Sequence, residues 1–191
     1  MFIRIASEKD CFRVSEIHLN QIKDGFLTEL GPEFLRIFYS AISQKAVLIV
    51  AEENGKIIGF VSGCLILKDF YRFFIKKHIF KLAVILLFKL KKARKICETA
   101  KYSSSKENSG LPEAELLSIA VLPEFQGKCV SKELLQSFVS ELKKREVKAF
   151  KVMVGEKLER ANRFYIKNGF IFHSKGLAHK DSPSNIYVFK I

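Results

Sequence analysis

Leu117-Ser118-Ile119-Ala120-Val121-Leu122-Pro123-Glu124-Phe125-Gln126-Gly127-Lys128-Cys129-Val130-Ser131 runs straight into Lys132-Glu133-Leu134-Leu135-Gln136-Ser137-Phe138. The first part reads as a buried strand, Pro123 marks a turn, and a short loop of mostly small residues opens a helix. That order matters because the first amides of a helix have no partner within it and sit at the positive end of its dipole. Such a start is an anion site, and a phosphate-bearing ligand is its natural occupant. Taken alone, the segment is equally consistent with a plain connection.

A second segment shifts the balance. Ala161-Asn162-Arg163-Phe164-Tyr165-Ile166-Lys167-Asn168-Gly169-Phe170 reads as a helix ending on Asn-Gly and feeding a strand. Together the two segments resemble the GNAT family of N-acetyltransferases. That family's acyl-CoA loop reads Gln/Arg-x-x-Gly-x-Gly/Ala after a strand ending in Val-x-Pro, with Ala-x-x-Phe-Tyr-x-x-x-Gly-Phe further on. Here the matching residues are Val121-Leu122-Pro123, then Gln126 to Ser131, then Ala161 to Phe170. The chain departs at Cys129, where glycine is expected, and at Ser131, where glycine or alanine is expected. Both replacements are small, so a pyrophosphate can still approach the backbone closely.

Composition is that of a single domain spanning residues 1–191, with ample apolar material for one core at 48% hydrophobic and 12% aromatic residues. Cys11, Cys64, Cys97 and Cys129 form no C-x-x-C pair and no cluster with histidine. Neither a metal site nor a disulfide framework is indicated, and free thiols in a reducing compartment are expected. The N-terminus meets charge at Arg4, without the apolar run of a secretory signal, so a cytoplasmic location is expected.

Around the two motifs, the patterning predicts a regular order. Phe2 to Ala6 alternates like a strand, and Ser7 with Asp10 forms a capping signal ahead of Phe12, Ile17, Leu19 and Ile22. Pro32 to Ser43 carries Phe34, Leu35, Phe38 and Ile42 at helical spacing. Ala46 to Glu52 reads as a buried strand, Asn54-Gly55 as a hairpin turn, and Lys56 to Leu67 as its partner. After a helix over Ser131 to Lys144 come a strand at Ala149 to Val154, a helix at Lys157 to Asn168, and strands at Phe170 to Phe172 and Ile186 to Phe189. The predicted fold class is mixed α/β, a central mixed sheet flanked by helices as in the GNAT fold.

One block falls outside this order. It runs from about Asp69 to Pro112, between the third and fourth strands, and is far longer than ordinary connections. Lys68 to Cys97 contains ten Lys or Arg and one Asp, a local charge of +9 within the chain's +13. On a helix, Ile75, Ile79, Leu82, Leu86, Leu90, Ala93 and Cys97 would form one apolar stripe, with Lys76, Lys77, Lys81, Lys91, Lys92, Arg94 and Lys95 beside and behind it. The charge-free run Leu82 to Phe88 is too short to span a bilayer, which takes roughly 20 residues. One reading is a basic helical insertion packed on the domain or on a second subunit, giving a homodimer. Another is a basic amphipathic helix, residues 70–97, lying peripherally on anionic membrane. Nucleic acid is the weaker partner, since no reading motif accompanies the charge. Tyr102 to Gly110 reads as a loop near the site mouth.

The resemblance implies transfer of an acetyl group from acetyl-CoA, as co-substrate, to an amine by direct attack in a ternary complex. It implies cofactor binding by the backbone of Ile119, Ala120 and Val121, by the loop Gln126, Gly127, Lys128, Cys129, Val130 and Ser131, and by Asn162 and Tyr165. Tyr165, three residues after Asn162 on one helix face, would be the general acid that protonates the leaving thiolate. For the base, Glu113 and Glu115 open the cofactor strand, two apart and so on the face of Leu117, Ile119 and Val121. Glu29 and Glu33 are further candidates, and His18, His78, His173 and His179 fall in no catalytic spacing. A covalent acyl intermediate on Cys129 is disfavoured by its place in the loop.

The expected acceptor is a primary amine of a small molecule, such as an amino sugar or a nucleotide-linked amino sugar; an acidic acceptor suits the basic insertion. The alternatives are a peptide or protein amine acetyltransferase, or a non-catalytic acyl-CoA-sensing or membrane-docking module of the same fold.

Overall fold

The computed structural model describes residues 1–23, 26–87, 110–179 and 182–191. Seven strands, β1 (Phe2–Ile5), β2 (Val47–Glu53), β3 (Lys56–Cys64), β4 (Glu115–Val121), β5 (Ala149–Gly155), β6 (Ile171–His179) and β7 (Ser182–Lys190), form one sheet. Their order is β1-β2-β3-β4-β5-β7-β6. Neighbours are antiparallel except β4 and β5, which run parallel.

Among the described residues six α-helices accompany it: α1 (Cys11–Gln21), α2 (Phe26–Glu29), α3 (Pro32–Lys45), α4 (Leu67–Leu87), α5 (Val130–Lys144) and α6 (Glu159–Lys167). On one sheet face, Val14, Ile17, Leu35, Phe38 and Tyr39 of α1 and α3 bury against Phe60, joined by Phe70 and Phe74 of α4. On the other, Leu134, Leu135 and Phe138 of α5 and Tyr165 of α6 bury against Val61, Phe150 and Val152. A sheet covered on both faces explains why β2 and β3 read as nearly continuous apolar runs.

Local signals formed as expected at several points. The Ser7 amide and hydroxyl both donate to Asp10 Oδ2, at 2.7 and 2.9 Å, ahead of α1. Asn54 and Gly55 have φ of 51° and 72°, the paired positive values of a tight hairpin turn. The last hairpin is longer than predicted, because the polar residues of β6 and early β7 give little strand signal at the sheet edge. β7, last in sequence, lies inside the sheet between β5 and β6.

The basic block begins with α4, and residues 88–109, including Leu90, Ala93, Cys97 and the loop 102–109, lie outside the described residues. The predicted stripe needs correction at two positions. Leu82 is buried as expected, but Ile75 and Ile79 are exposed, and Phe70 and Phe74, set among the rings of Phe34 and Phe38 on α3, are buried in their place, while the side chain of Leu86 lies outside those described. Aromatic complementarity to α3, together with a break at His78 (φ −119°, ψ 18°), decides which side of the helix faces inward. No described helix is long and apolar enough to cross a membrane.

Candidate functional site

The site starts from an irregularity in β4. Ser62 pairs with Ser118 while Gly63 pairs with Leu116, so Leu117 is an extra residue with no partner on β3. Gly63 permits the close fit there: a Cβ on it would stand 2.5 Å from the Glu115 carbonyl oxygen and 2.4 Å from the Phe138 ring.

The bulge also changes the faces. Leu116, Ile119 and Val121 belong to the core beneath α5, while Leu117 and Ala120 pack in the core beneath α1 and α3. The expectation that Glu113, Glu115, Leu117, Ile119 and Val121 share one face is therefore overturned, because one inserted residue inverts the alternation beyond it.

β4 pairs with β5 only at Glu115–Lys151 and Leu116–Val152. Past that point the two strands part. The Leu122 amide donates to Ile58 on β3 at 2.9 Å, so by alternation the backbone groups of Ile119 and Val121 point the other way, into the opening. The Val121 carbonyl accepts from the Gln126 side-chain amide at 2.9 Å, and Gln126 in turn accepts from Arg160 at 2.8 Å. Gln126 thus braces the loop through its side chain, and its own amide donates to the Pro123 carbonyl at 3.1 Å.

Beyond Gln126 the chain turns through two left-handed residues, Gly127 (φ 79°) and Cys129 (φ 63°), into α5. A Cβ on Gly127 would meet nothing within 4 Å, so the loop borders open space. The Cys129 carbonyl accepts the first helical bond, from Glu133 at 3.0 Å, which leaves the amides of Val130 and Ser131 at the helix start to face outward partners. Lys128 places its ammonium 5.2 Å from the centre of the Phe125 ring, beside the same loop. This cradle has the open space, amides and cations that a pyrophosphate requires.

Glu115 and Glu113 part company. Glu113 is exposed and precedes β4, whereas the Glu115 side chain is only 13% exposed, 3.7 Å from the Lys151 ammonium. Lys151 also donates to the Pro112 carbonyl at 2.6 Å. Burial pushes the Glu115 carboxyl above its usual range, against the opposing pull of Lys151. The charge of Glu115 is felt by Tyr71 on α4 and by the buried Cys64. Sequence reasoning passed over Lys151 and Tyr71; a lysine inside the apolar strand Ala149-Phe150-Lys151-Val152-Met153-Val154 was the available signal.

Tyr165 lies on the opposite sheet face, buried, with Phe170 at 5.0 Å and Tyr187 at 6.5 Å between ring centres. Tyr187 pairs with Val152, which pairs with Leu116, so Tyr165 sits at the level where β4 and β5 separate. Burial holds its phenol above the ordinary range and therefore protonated. Asn162 is engaged internally: its amide donates to the Gly155 and Leu158 carbonyls at 3.0 and 2.8 Å, and its oxygen accepts from Asn185 and Tyr187.

The family model of the acetyltransferase (GNAT) family matches residues 13–170. The chain belongs to the GNAT acetyltransferases. It is, accordingly, an acyltransferase with acetyl-CoA as co-substrate. Among solved structures similar in fold is the PaiA N-acetyltransferase of Thermoplasma acidophilum with coenzyme A, at 17% identity, all of both chains covered and a TM-score of 0.64. Two others are YncA of Salmonella typhimurium with acetyl-CoA (16%, 100% of this chain and 93% of that, 0.65) and the ribosomal-protein-S18-alanine N-acetyltransferase of Escherichia coli (17%, 100% and 93%, 0.63). No curated protein matches the sequence. Among the described residues of this GNAT, no group of His, Cys, Asp or Glu is placed to hold a metal ion.

Proposed function

We propose that this GNAT acetylates a primary amine of a small, acidic molecule, an amino sugar or a nucleotide-linked amino sugar, by direct attack within a ternary complex. The supporting observation is the opening between β4 and β5, with a buried carboxylate on one sheet face and a buried phenol on the other. Glu115, buried beside Lys151, accepts the ammonium proton, directly or through water; burial raises its affinity for that proton. Glu113, exposed and outside the strand, drops behind it. Tyr165, beside α5, donates a proton to the departing thiolate. The Ile119 and Val121 backbone groups hold the pantetheine arm and polarise the acyl carbonyl, and the amides from Gly127 to Ser131 receive the pyrophosphate.

An acidic acceptor is favoured by the charge of the chain, +13, and by α4, whose Tyr71 feels the charge of Glu115 and which carries Lys68, Arg72, Lys76, Lys77 and Lys81. Of the solved structures named above, one is named for a ribosomal-protein alanine and two for no acceptor, so fold likeness does not choose between a small molecule and a peptide.

The test is a thiol-release assay with acetyl-CoA over free amino sugars, nucleotide-linked amino sugars and peptides with free N-termini. Turnover with the sugars and loss of kcat in Tyr165→Phe, with acetyl-CoA binding retained, are expected. Turnover confined to peptides would remove the acceptor assignment, and an unchanged kcat in Tyr165→Phe would remove the acid.

A further inference from the structure

α4 has two faces with different fates. Phe70, Phe74 and Leu82 are buried against α3 and the sheet. On the outer side, Lys68, Arg72, Lys76 and Phe80 follow one another at four-residue spacing, and Ile75 and Ile79 form the adjacent row. All six are exposed, Phe80 at 86% and Ile79 at 52%. Exposed isoleucine or phenylalanine is ordinary when single. Three within six residues, one before and two after the break at His78, framed by cations, are a pattern.

We propose that this outer face of α4 docks on an anionic lipid surface, with Ile75, Ile79 and Phe80 entering the headgroup boundary and Lys68, Arg72, Lys76 and Lys81 meeting lipid phosphates. Charge complementarity selects that occupant. Five cations against Asp69 alone stand between Leu67 and Ala83, on a chain of net charge +13. A protein partner's interface centre is depleted of lysine, whereas helices lying in a bilayer interface carry Lys and Arg beside Phe and Leu. The cations lie next to the apolar side chains, so their aliphatic stems can lie along the bilayer while the ammonium groups reach the phosphates. Some of these cations also enter the acceptor reading above, so the test uses no substrate and the two readings fail separately.

The test is flotation of the full chain with phosphatidylcholine vesicles, with and without phosphatidylglycerol, over a salt series. The protein should float with the anionic vesicles at low salt and weaken as salt rises. Phe80→Asp should reduce partitioning by about tenfold or more, and Phe80→Ser by less, since burying a phenyl ring contributes on that scale. Both changes fall on a side chain outside the core, and an unaltered melting temperature checks that the fold persists.

Failure to float with anionic vesicles overturns the proposal. Flotation equally strong in Phe80→Asp overturns it too, since that is mere adsorption of a basic protein. A self-association that Phe80→Asp abolishes, without flotation, assigns the face to a second copy instead.

Discussion

The Tyr187 hydroxyl donates to the side-chain oxygen of Asn162 at 2.8 Å, tying α6 to β7 beneath the candidate acid. The same oxygen accepts from Asn185, and the Asn162 amide holds the carbonyls that lead from β5 into α6. Asn162 therefore anchors the helix that carries Tyr165, one turn before it. Asn162→Leu leaves the buried Tyr187 hydroxyl and the half-buried Asn185 amide without this partner, and each unsatisfied group costs roughly 1–3 kcal/mol. A loss of about 3 kcal/mol in denaturant unfolding is expected, with Tyr187→Phe losing about 1 kcal/mol. Equal stability in Asn162→Leu would show the network to be weak.

Glu115 beside Lys151 sets a pH signature. A general base works deprotonated, so kcat/KM rises as pH rises through the Glu115 pKa, which burial has lifted. Lys151 opposes that lift; Lys151→Met should therefore move the acidic limb to higher pH. Glu115→Gln should erase the limb and slow turnover by about 10²- to 10⁴-fold. An acidic limb that persists unchanged in Glu115→Gln would assign it to another group.

Cys129 occupies a backbone conformation, φ 63°, that suits glycine, at the N-cap of α5. A left-handed L-residue costs roughly 1–2 kcal/mol, partly offset by the greater unfolded-state freedom of glycine. Cys129→Gly should stabilise the protein by about 0.5–1 kcal/mol and leave acetyl-CoA binding intact or tighter in calorimetry. Cys129→Val should be less stable than the natural residue, since a β-branched side chain tolerates that region worst.

His18 is buried between Tyr39 and Phe60, its Nδ1 2.6 Å from the Tyr39 hydroxyl and its Nε2 without a partner among the described residues. Burial pushes its pKa down to about 4. The unfolded chain, with a histidine near 6.5, then binds a proton that the folded chain refuses. Stability is full above pH 6.5 and falls as pH drops toward 4, by up to about 3 kcal/mol. Chemical denaturation across that window should show the slope, and His18→Phe should flatten it. A native slope retained in His18→Phe would point to other titrating groups.

Most elements were legible because their signals are local. The Asn54-Gly55 turn, the Ser7–Asp10 cap and the Phe34-Leu35-Phe38-Ile42 row act through neighbours a few residues away, and each formed as read. The turn of Gly127 and Cys129 into α5 belongs with them, since these residues are contiguous in the chain. The apolar stripe of α4 misled because both of its sides carry apolar residues. The choice of Phe70 and Phe74 over Ile75 and Ile79 was made by the rings of α3, more than thirty residues earlier in sequence.

By itself the sequence determined a mixed α/β chain, a family, a left-handed loop leading into α5 and a basic block after β3. Tertiary structure alone decided which candidate side chains meet. The Leu117 bulge put Glu115 and Leu117 on one face and Ile119 and Val121 on the other, β7 slipped between β5 and β6 to reach Asn162, and Lys151 came to face Glu115. The physical reason is that register, bulges and strand order depend on pairings between distant segments, and a period-two pattern read along one strand holds only until a partner strand inserts or skips a residue.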